Sequence, residues 1–209
     1  MNTEVLTLNK ERNVTLTTYI QDCGEGFGCV AKRPAVLILP GGAYQMCSDR
    51  EADPVAFAFA KAGYHAFVLR YSVMDDCTWP NPLNDYEQAM TLIRSHADTW
   101  HIYEDKIAVI GFSAGGHLAT AAATLAQNRP NAAILGYAVT SQHVQACNPN
   151  APETISAVDR KTPPCFVFAT RTDSMVPINN SIDFMRALSD NGVAFESHIY
   201  AYGPHGFST

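Results

Sequence analysis

The amino-acid sequence predicts an α/β fold that begins with antiparallel strands, and two observations carry this prediction. From Arg33 onward, short and almost continuously apolar runs alternate with longer stretches of helical periodicity. Such runs are typical of strands in a parallel sheet, which are buried on both faces. Before Arg33, two runs alternate apolar and polar residues with a period of two, as half-exposed antiparallel strands do.

The predicted strands therefore fall into two groups. The half-exposed strands are residues 5–8 and 14–20, and the buried strands are residues 35–39, 65–69, 107–111, 132–137, 165–170 and 195–200. Strand–helix alternation requires right-handed crossovers, which place helices on both faces of the sheet. We therefore expect the buried strands to form one mostly parallel sheet.

The helices are predicted between these strands. Their ranges are residues 51–62, 82–98, 114–127 and 178–191. In the second helix, apolar residues recur at spacings of three and four and mark one face. Asn81 is expected to be the N-cap of this helix, and Gly63 and Gly192 are expected to follow helix ends in a left-handed conformation.

Length and composition limit the class of protein. The chain has 209 residues, of which 47% are hydrophobic and 16% charged, so intrinsic disorder is excluded. No repeat or linker-like stretch divides it, and we treat residues 1–209 as one domain. A net charge of −6 without a run of Lys or Arg argues against nucleic acid or an anionic membrane as a partner.

The N-terminus and the cysteines indicate the compartment. The first residues lack the basic and apolar regions of a signal peptide, and no window approaches the roughly 20 apolar residues of a membrane span. The six cysteines are scattered without a C-x-x-C pair. We therefore expect a cytoplasmic protein with reduced thiols, with a Cys23–Cys29 bridge as the alternative.

The most informative segment is IAVIGFSAGGHL, which begins at Ile107. It contains G-x-S-x-G between a predicted buried strand and a helix rich in small residues. In a nucleophile elbow the two glycines permit a sharp turn that raises the serine hydroxyl above the sheet edge. Ser113 is therefore the predicted nucleophile, although a glycine-rich turn packed against a neighbour is the structural alternative.

A serine nucleophile needs a base, and the base needs an orienting acid. With this motif the partners follow in the order serine, acid, histidine. His205 lies in a glycine- and proline-rich loop after the last strand and is the predicted base, whereas His198, inside that strand, is expected to point into a core. Asp173 follows the preceding strand and is the predicted acid, with helix capping as its alternative role.

Backbone donors for a developing oxyanion are predicted after strand 35–39. The sequence LPGGAY places two glycines there, so that the backbone can turn its N–H groups toward a reacting carbonyl. The predicted donors are the backbone N–H groups of Gly42, Ala43 and Ala114. An ordinary Gly-Gly turn is the alternative.

Further residues have weaker signals. Tyr44, Met46 and Trp79 are candidate walls of a substrate pocket, although each could equally pack in the interior. His117 is expected to be structural. Neither a metal-binding motif nor a nucleotide-binding fingerprint is present, so we expect no metal and no cofactor.

Together these residues resemble the α/β-hydrolase superfamily, specifically its small bacterial acetyl-esterase and carboxylesterase branch related to hormone-sensitive lipases. The resemblance runs from about Arg33 to the end of the chain. Its matching stretches are PGGAY at 40–44, SDRE at 48–51, GY at 63–64, LRYS at 69–72, residues 79–85, the elbow at 107–118, residues 173–177 and GPHGF at 203–207. The resemblance implies a Ser113–Asp173–His205 triad and hydrolysis of short acyl esters, including acetyl groups on sugars or xylan fragments, through an acyl-enzyme.

The sequence departs from this family in three places. PGGA replaces the frequent HGGG stretch, segment 140–162 is shorter than the usual cap, and the chain stops four residues after His205, where relatives continue into a helix. We therefore expect a minimal cap and an exposed apolar sheet surface, and from that surface a homodimer.

The predicted function is esterase activity on a small-molecule substrate. One alternative uses the same triad on an amide, as arylformamidase-like or peptidase-like relatives do. The other is a hydrolase fold without catalytic activity.

Overall fold

The computed structural model describes residues 1–24, 26 and 30–208, and its described part contains one eight-stranded sheet. The strands are β1 (Asn2–Asn9), β2 (Val14–Ile20), β3 (Arg33–Leu39), β4 (His65–Arg70), β5 (Ile102–Phe112), β6 (Ala132–Gly136), β7 (Cys165–Thr170) and β8 (Phe195–Tyr200). The helices are α1 (Asp53–Lys61), α2 (Asn81–Ser95), α3 (Ser113–Thr124) and α4 (Asn179–Asp190). The possible Cys23–Cys29 bridge lies outside the described residues.

The sheet has the strand order β1-β2-β4-β3-β5-β6-β7-β8. β1 and β2 pair antiparallel, β2 is antiparallel to β4, and every pairing from β4 through β8 is parallel. The predicted α/β class with an antiparallel start is confirmed. Because the parallel strands all end at one edge, the loops after β3, β5 and β7 meet there.

Alternate residues of the central strands pack into two separate cores. In β3, Leu37 and Leu39 face the core that α2, α3 and α4 share, whereas Val36 and Ile38 face the core that includes Val55 of α1. All four strand residues are completely buried. The central sheet is therefore a closely packed, rigid layer, which fixes the positions of the strand ends from which the loops begin.

The prediction that the last strand is buried on both faces is wrong. Among the described strands, β8 lies at the sheet edge and pairs with β7 alone, and its residues 196–200 are exposed. Since His198 lies opposite Phe168 on this edge and is exposed, its expected place in a core is wrong as well. Phe166 of β7 is also 40% exposed. The homodimer expected from such a surface stays a prediction.

Helix ends agree with the sequence at the glycines and differ at Asn81. Gly63 and Gly192 have φ of +94° and +70°, as predicted for residues after helix ends. Asn81 is the first residue of α2 rather than its N-cap. Its side-chain amide instead donates to the carbonyl oxygen of Asp76 at 3.0 Å.

The segment after β6 stays short, as the sequence predicted for a minimal cap. It contains one 3-10 turn, Gln142–Ala146, before β7 begins. Among the residues with described coordinates, no helix has the length and apolar character to cross a membrane.

Candidate active site

The chain turns directly from β5 into α3 at Ser113, which has φ +53°. Two close backbone approaches explain the flanking glycines. A Cβ atom at Gly111 would lie 2.1 Å from the carbonyl oxygen of Gly115, and a Cβ atom at Gly115 would lie 2.1 Å from that of Leu39. No side chain fits at either position, and the tight turn holds Ser113 in a conformation that non-glycine residues rarely adopt.

The structure brings the three predicted catalytic side chains together in one line. His205 Nε2 lies 2.9 Å from Ser113 Oγ, and His205 Nδ1 lies 2.7 Å from Asp173 Oδ2. The other carboxylate oxygen of Asp173 accepts the N–H groups of Met175 and Val176 at 2.8 and 2.9 Å. These two backbone bonds fix the carboxylate. Asp173 Oδ2 can then accept a hydrogen bond from the Nδ1–H of His205, which leaves Nε2 unprotonated and able to accept the serine proton.

Aromatic packing holds the loop that carries His205. The Tyr137 ring meets the imidazole edge-on, with ring centroids 4.9 Å apart. Phe207, two residues after the histidine, packs against Tyr137 at 5.2 Å, Phe168 at 5.9 Å and Tyr200 at 5.5 Å. Sequence reasoning missed Tyr137, although a tyrosine at the end of a buried strand is a signal for a polar partner.

The loop after β3 lies beside Ser113. Gly42, Ala43 and Tyr44 have φ of +133°, +55° and +58°, which is a run of three residues in the sparsely populated positive-φ region. A Cβ atom at Gly41 would lie 3.2 Å from Ser113 Cβ. The strained backbone of Ala43 and Tyr44, close to Ser113, is typical of a functional loop.

The predicted oxyanion donors remain available in this arrangement. Among the hydrogen bonds between described residues, none uses the backbone N–H of Gly42 or Ala43. The N–H of Ala114 lies in the first turn of α3, where backbone N–H groups have no partner within the helix. The donor roles of these three groups stay a prediction.

The prediction that Tyr44 lines the substrate pocket is wrong. Its side chain is completely buried, and its hydroxyl donates to His117 Nδ1 at 2.6 Å. Met46, by contrast, is 54% exposed, and Trp79 is half-buried with its ring 5.5 Å from that of His117. Tyr44 therefore belongs to the core, and the roles of Met46 and Trp79 stay predictions.

His117 has the structural position that was expected. Its Nε2–H donates to the carbonyl oxygen of Pro152 at 2.8 Å, which leaves Nδ1 as the acceptor for Tyr44. The ring is completely buried, and this burial lowers its pKa to about 4. A neutral imidazole thus ties α3 to the segment after β6.

This buried imidazole predicts a pH-dependent stability. Since the unfolded chain binds the proton near pH 6.5 and the folded chain only near pH 4, acid favours unfolding between these values. The contribution of His117 to the free energy of unfolding should fall by about 2 kcal/mol from pH 7 to pH 4.5. Urea unfolding of His117→Gln should show a correspondingly shallower pH dependence, whereas replacing the exposed His143 by Gln should leave the wild-type dependence intact. Equal pH dependence in all three proteins would contradict this effect.

The chain matches a known protein family. A family model described as BD-FAE matches residues 29–148, more than half of the chain. The chain belongs to the BD-FAE family. The structure of MGS-M1, an α/β-hydrolase enzyme from a Medee basin deep-sea metagenome library, is 46% identical to this BD-FAE chain, with a TM-score of 0.93 over 100% of this chain and 84% of that one. The predicted α/β-hydrolase fold is therefore confirmed.

Curated relatives of the BD-FAE chain are longer proteins. It is 32% identical over 208 residues to endo-1,4-beta-xylanase B of Butyrivibrio fibrisolvens, and 30% identical over 197 residues to an acetylxylan esterase of Xylanibacter ruminicola. These matches cover 85% and 83% of this chain but only 33% and 41% of the relatives. The resemblance to the esterase branch of the α/β hydrolases is confirmed, and the chain spans less than half the length of these two relatives.

Proposed function

We propose that the chain is a carboxylic ester hydrolase that cleaves small acyl esters, chiefly acetyl esters, with Ser113 as its nucleophile. The observation that carries this proposal is the continuous line of hydrogen bonds from Ser113 through His205 to Asp173. The strained backbone at residues 43–44, in the loop beside Ser113, supports it further. The acetylxylan esterase relative supports an acetyl group on a sugar or xylan fragment as the substrate.

In the proposed acylation step, Ser113 Oγ attacks the acyl carbonyl while its proton moves to His205 Nε2. The carbonyl oxygen becomes an oxyanion, which the N–H groups of Gly42, Ala43 and Ala114 stabilise. Asp173 accepts a hydrogen bond from the Nδ1–H of His205 and stabilises the imidazolium. The intermediate then breaks its bond to the leaving oxygen, which takes the proton from Nε2 and departs as the alcohol.

Deacylation repeats these roles with water as the nucleophile. His205 removes a proton from the water, whose oxygen attacks the acyl-enzyme carbonyl. The same N–H groups stabilise the second oxyanion. When that intermediate collapses, the serine oxygen recovers its proton from the imidazolium, and the carboxylic acid is released.

Hydrolysis of a panel of substrates tests this proposal. We expect p-nitrophenyl acetate and acetylated xylo-oligosaccharides to be hydrolysed, and p-nitrophenyl octanoate to have a kcat/KM at least about tenfold lower than the acetate. An aryl formamide and a peptide p-nitroanilide serve as the amide arms of the panel. Faster cleavage of either amide than of the acetate would contradict the ester preference, and no cleavage of any substrate would contradict a hydrolase.

A further inference from the structure

One buried carboxylate connects separate parts of the site. Glu51 is only 4% exposed and ends the short 3-10 turn Asp49–Glu51, just before α1. Its Oε2 accepts the N–H of Gly41 at 2.7 Å, and its Oε1 accepts the hydroxyl of Tyr137 at 2.6 Å. The two oxygens thus hold two chain segments that are far apart in sequence.

The first segment is the loop after β3. Gly41 lies between Glu51 and the nucleophile, since a Cβ atom there would be 2.7 Å from Glu51 Oε2 and 3.2 Å from Ser113 Cβ. At 2.7 Å, the Gly41 N–H and Glu51 Oε2 form a short hydrogen bond between two buried groups. The bond from Gly41 therefore fixes the start of the loop, and the next two N–H groups are the proposed oxyanion donors.

The second segment carries the histidine. Tyr137, whose hydroxyl donates to Glu51, packs its ring against both His205 and Phe207. The Ser208 hydroxyl also donates to Glu51 Oε1, at 3.4 Å. These contacts hold the Tyr137 ring in one orientation. Because this ring packs against the His205 imidazole, it also limits where the imidazole can lie.

We propose that Glu51 is a positioning residue, which sets the oxyanion donors and the His205 imidazole at their correct distances from Ser113. This inference rests on the proposed ester hydrolase function. Glu51 acts through Gly41 and Tyr137 and does not contact the substrate. Since a misplacement of about 1 Å can lower a rate by about 100-fold, losing this carboxylate should reduce kcat rather than substrate binding.

The variant Glu51→Gln tests this role. Glutamine keeps the size of the side chain, but its NH₂ group cannot accept a bond from Gly41 or Tyr137. We expect kcat for p-nitrophenyl acetate to fall by about 10- to 100-fold, with KM within about twofold of the wild-type value. The matched control is Glu153→Gln, because Glu153 also accepts a backbone N–H, that of Ile155 at 2.8 Å, and its hydrogen bonds within the described part of the chain go to Ile155 and Ser156. Its kcat should stay at the wild-type value.

Fluorophosphonate titration of Ser113 counts the competent enzyme in each preparation. A kcat of Glu51→Gln per titrated serine equal to that of the wild type would overturn the proposal, and so would an effect on KM alone. If Glu51→Gln does not fold, Tyr137→Phe replaces it, because it keeps the ring and removes only the hydroxyl. A wild-type kcat for that variant would overturn the proposal too.

Failure of the proposed function has a different signature. In that case the wild-type protein hydrolyses no ester, and the rate of fluorophosphonate labelling at Ser113 then tests Glu51. Labelling at least about tenfold slower in Glu51→Gln than in the wild type supports the positioning role, and equal rates overturn it.

Discussion

Replacing Ser113 by alanine is expected to lower kcat for p-nitrophenyl acetate by about a millionfold. The change removes the hydroxyl of the proposed nucleophile, while the small side chain suits the tight turn between β5 and α3. The fold should persist, because the packing of Gly111 and Gly115 does not involve the serine hydroxyl. Steady-state hydrolysis and circular dichroism measure the two effects separately.

A matched serine variant controls for the Ser113 experiment. Ser95 is exposed at the end of α2, where its hydroxyl donates to the carbonyl oxygen of Leu92 and lies 3.1 Å from His96 Nδ1. Ser95→Ala should keep the wild-type kcat. If Ser113→Ala retained ester hydrolysis after repeated purification, Ser113 would not be the nucleophile.

Replacing Asp173 by asparagine is expected to lower kcat by about 10⁴-fold while the geometry of the site survives. The asparagine oxygen can still accept the N–H groups of Met175 and Val176, which now bond to Asp173 Oδ1. Its NH₂ group then faces His205 Nδ1, and that nitrogen must act as an acceptor. The proton moves to Nε2, which can no longer take the proton of Ser113.

The control for the aspartate is Asp183→Asn, since Asp183 forms a mostly exposed ion pair with Arg186 on α4. This variant should be indistinguishable from the wild type in kcat. Imidazole nitrogen chemical shifts of His205 would report the tautomer directly. Asp173→Asn with near wild-type kcat would show that Asp173 does not orient the histidine.

The three side chains of the proposed triad could be placed near one another from sequence because each has a local signal. Ser113 stands between two glycines that the turn requires, and Asp173 and His205 each follow a strand that ends at the same sheet edge. Because parallel strands end at the same edge of the sheet, residues that follow β5, β7 and β8 come close together in space. The distances of 2.7 and 2.9 Å are consistent with that inference.

Other features depend on contacts that no local pattern encodes. Glu51 and Tyr137 are separated by 86 residues, and neither sequence neighbourhood indicates the other. The burial of Tyr44 depends on its bond to His117, 73 residues away. The exposure of β8, by contrast, had a local signal that the prediction overlooked, because Glu196, Ser197 and His198 stand at the centre of this strand.

The position of β8 makes the active site sensitive to local unfolding. An edge strand with exposed hydrogen bonds opens at a lower free-energy cost than the central strands do. His205 follows β8 directly, whereas Ser113 and Asp173 follow the interior strands β5 and β7. Fraying at one side of the sheet would therefore separate His205 from Ser113 while most of the protein stays folded. As denaturant is added, activity should then fall before the sheet as a whole unfolds. Residual activity in denaturant therefore measures the stability of the β7–β8 pairing.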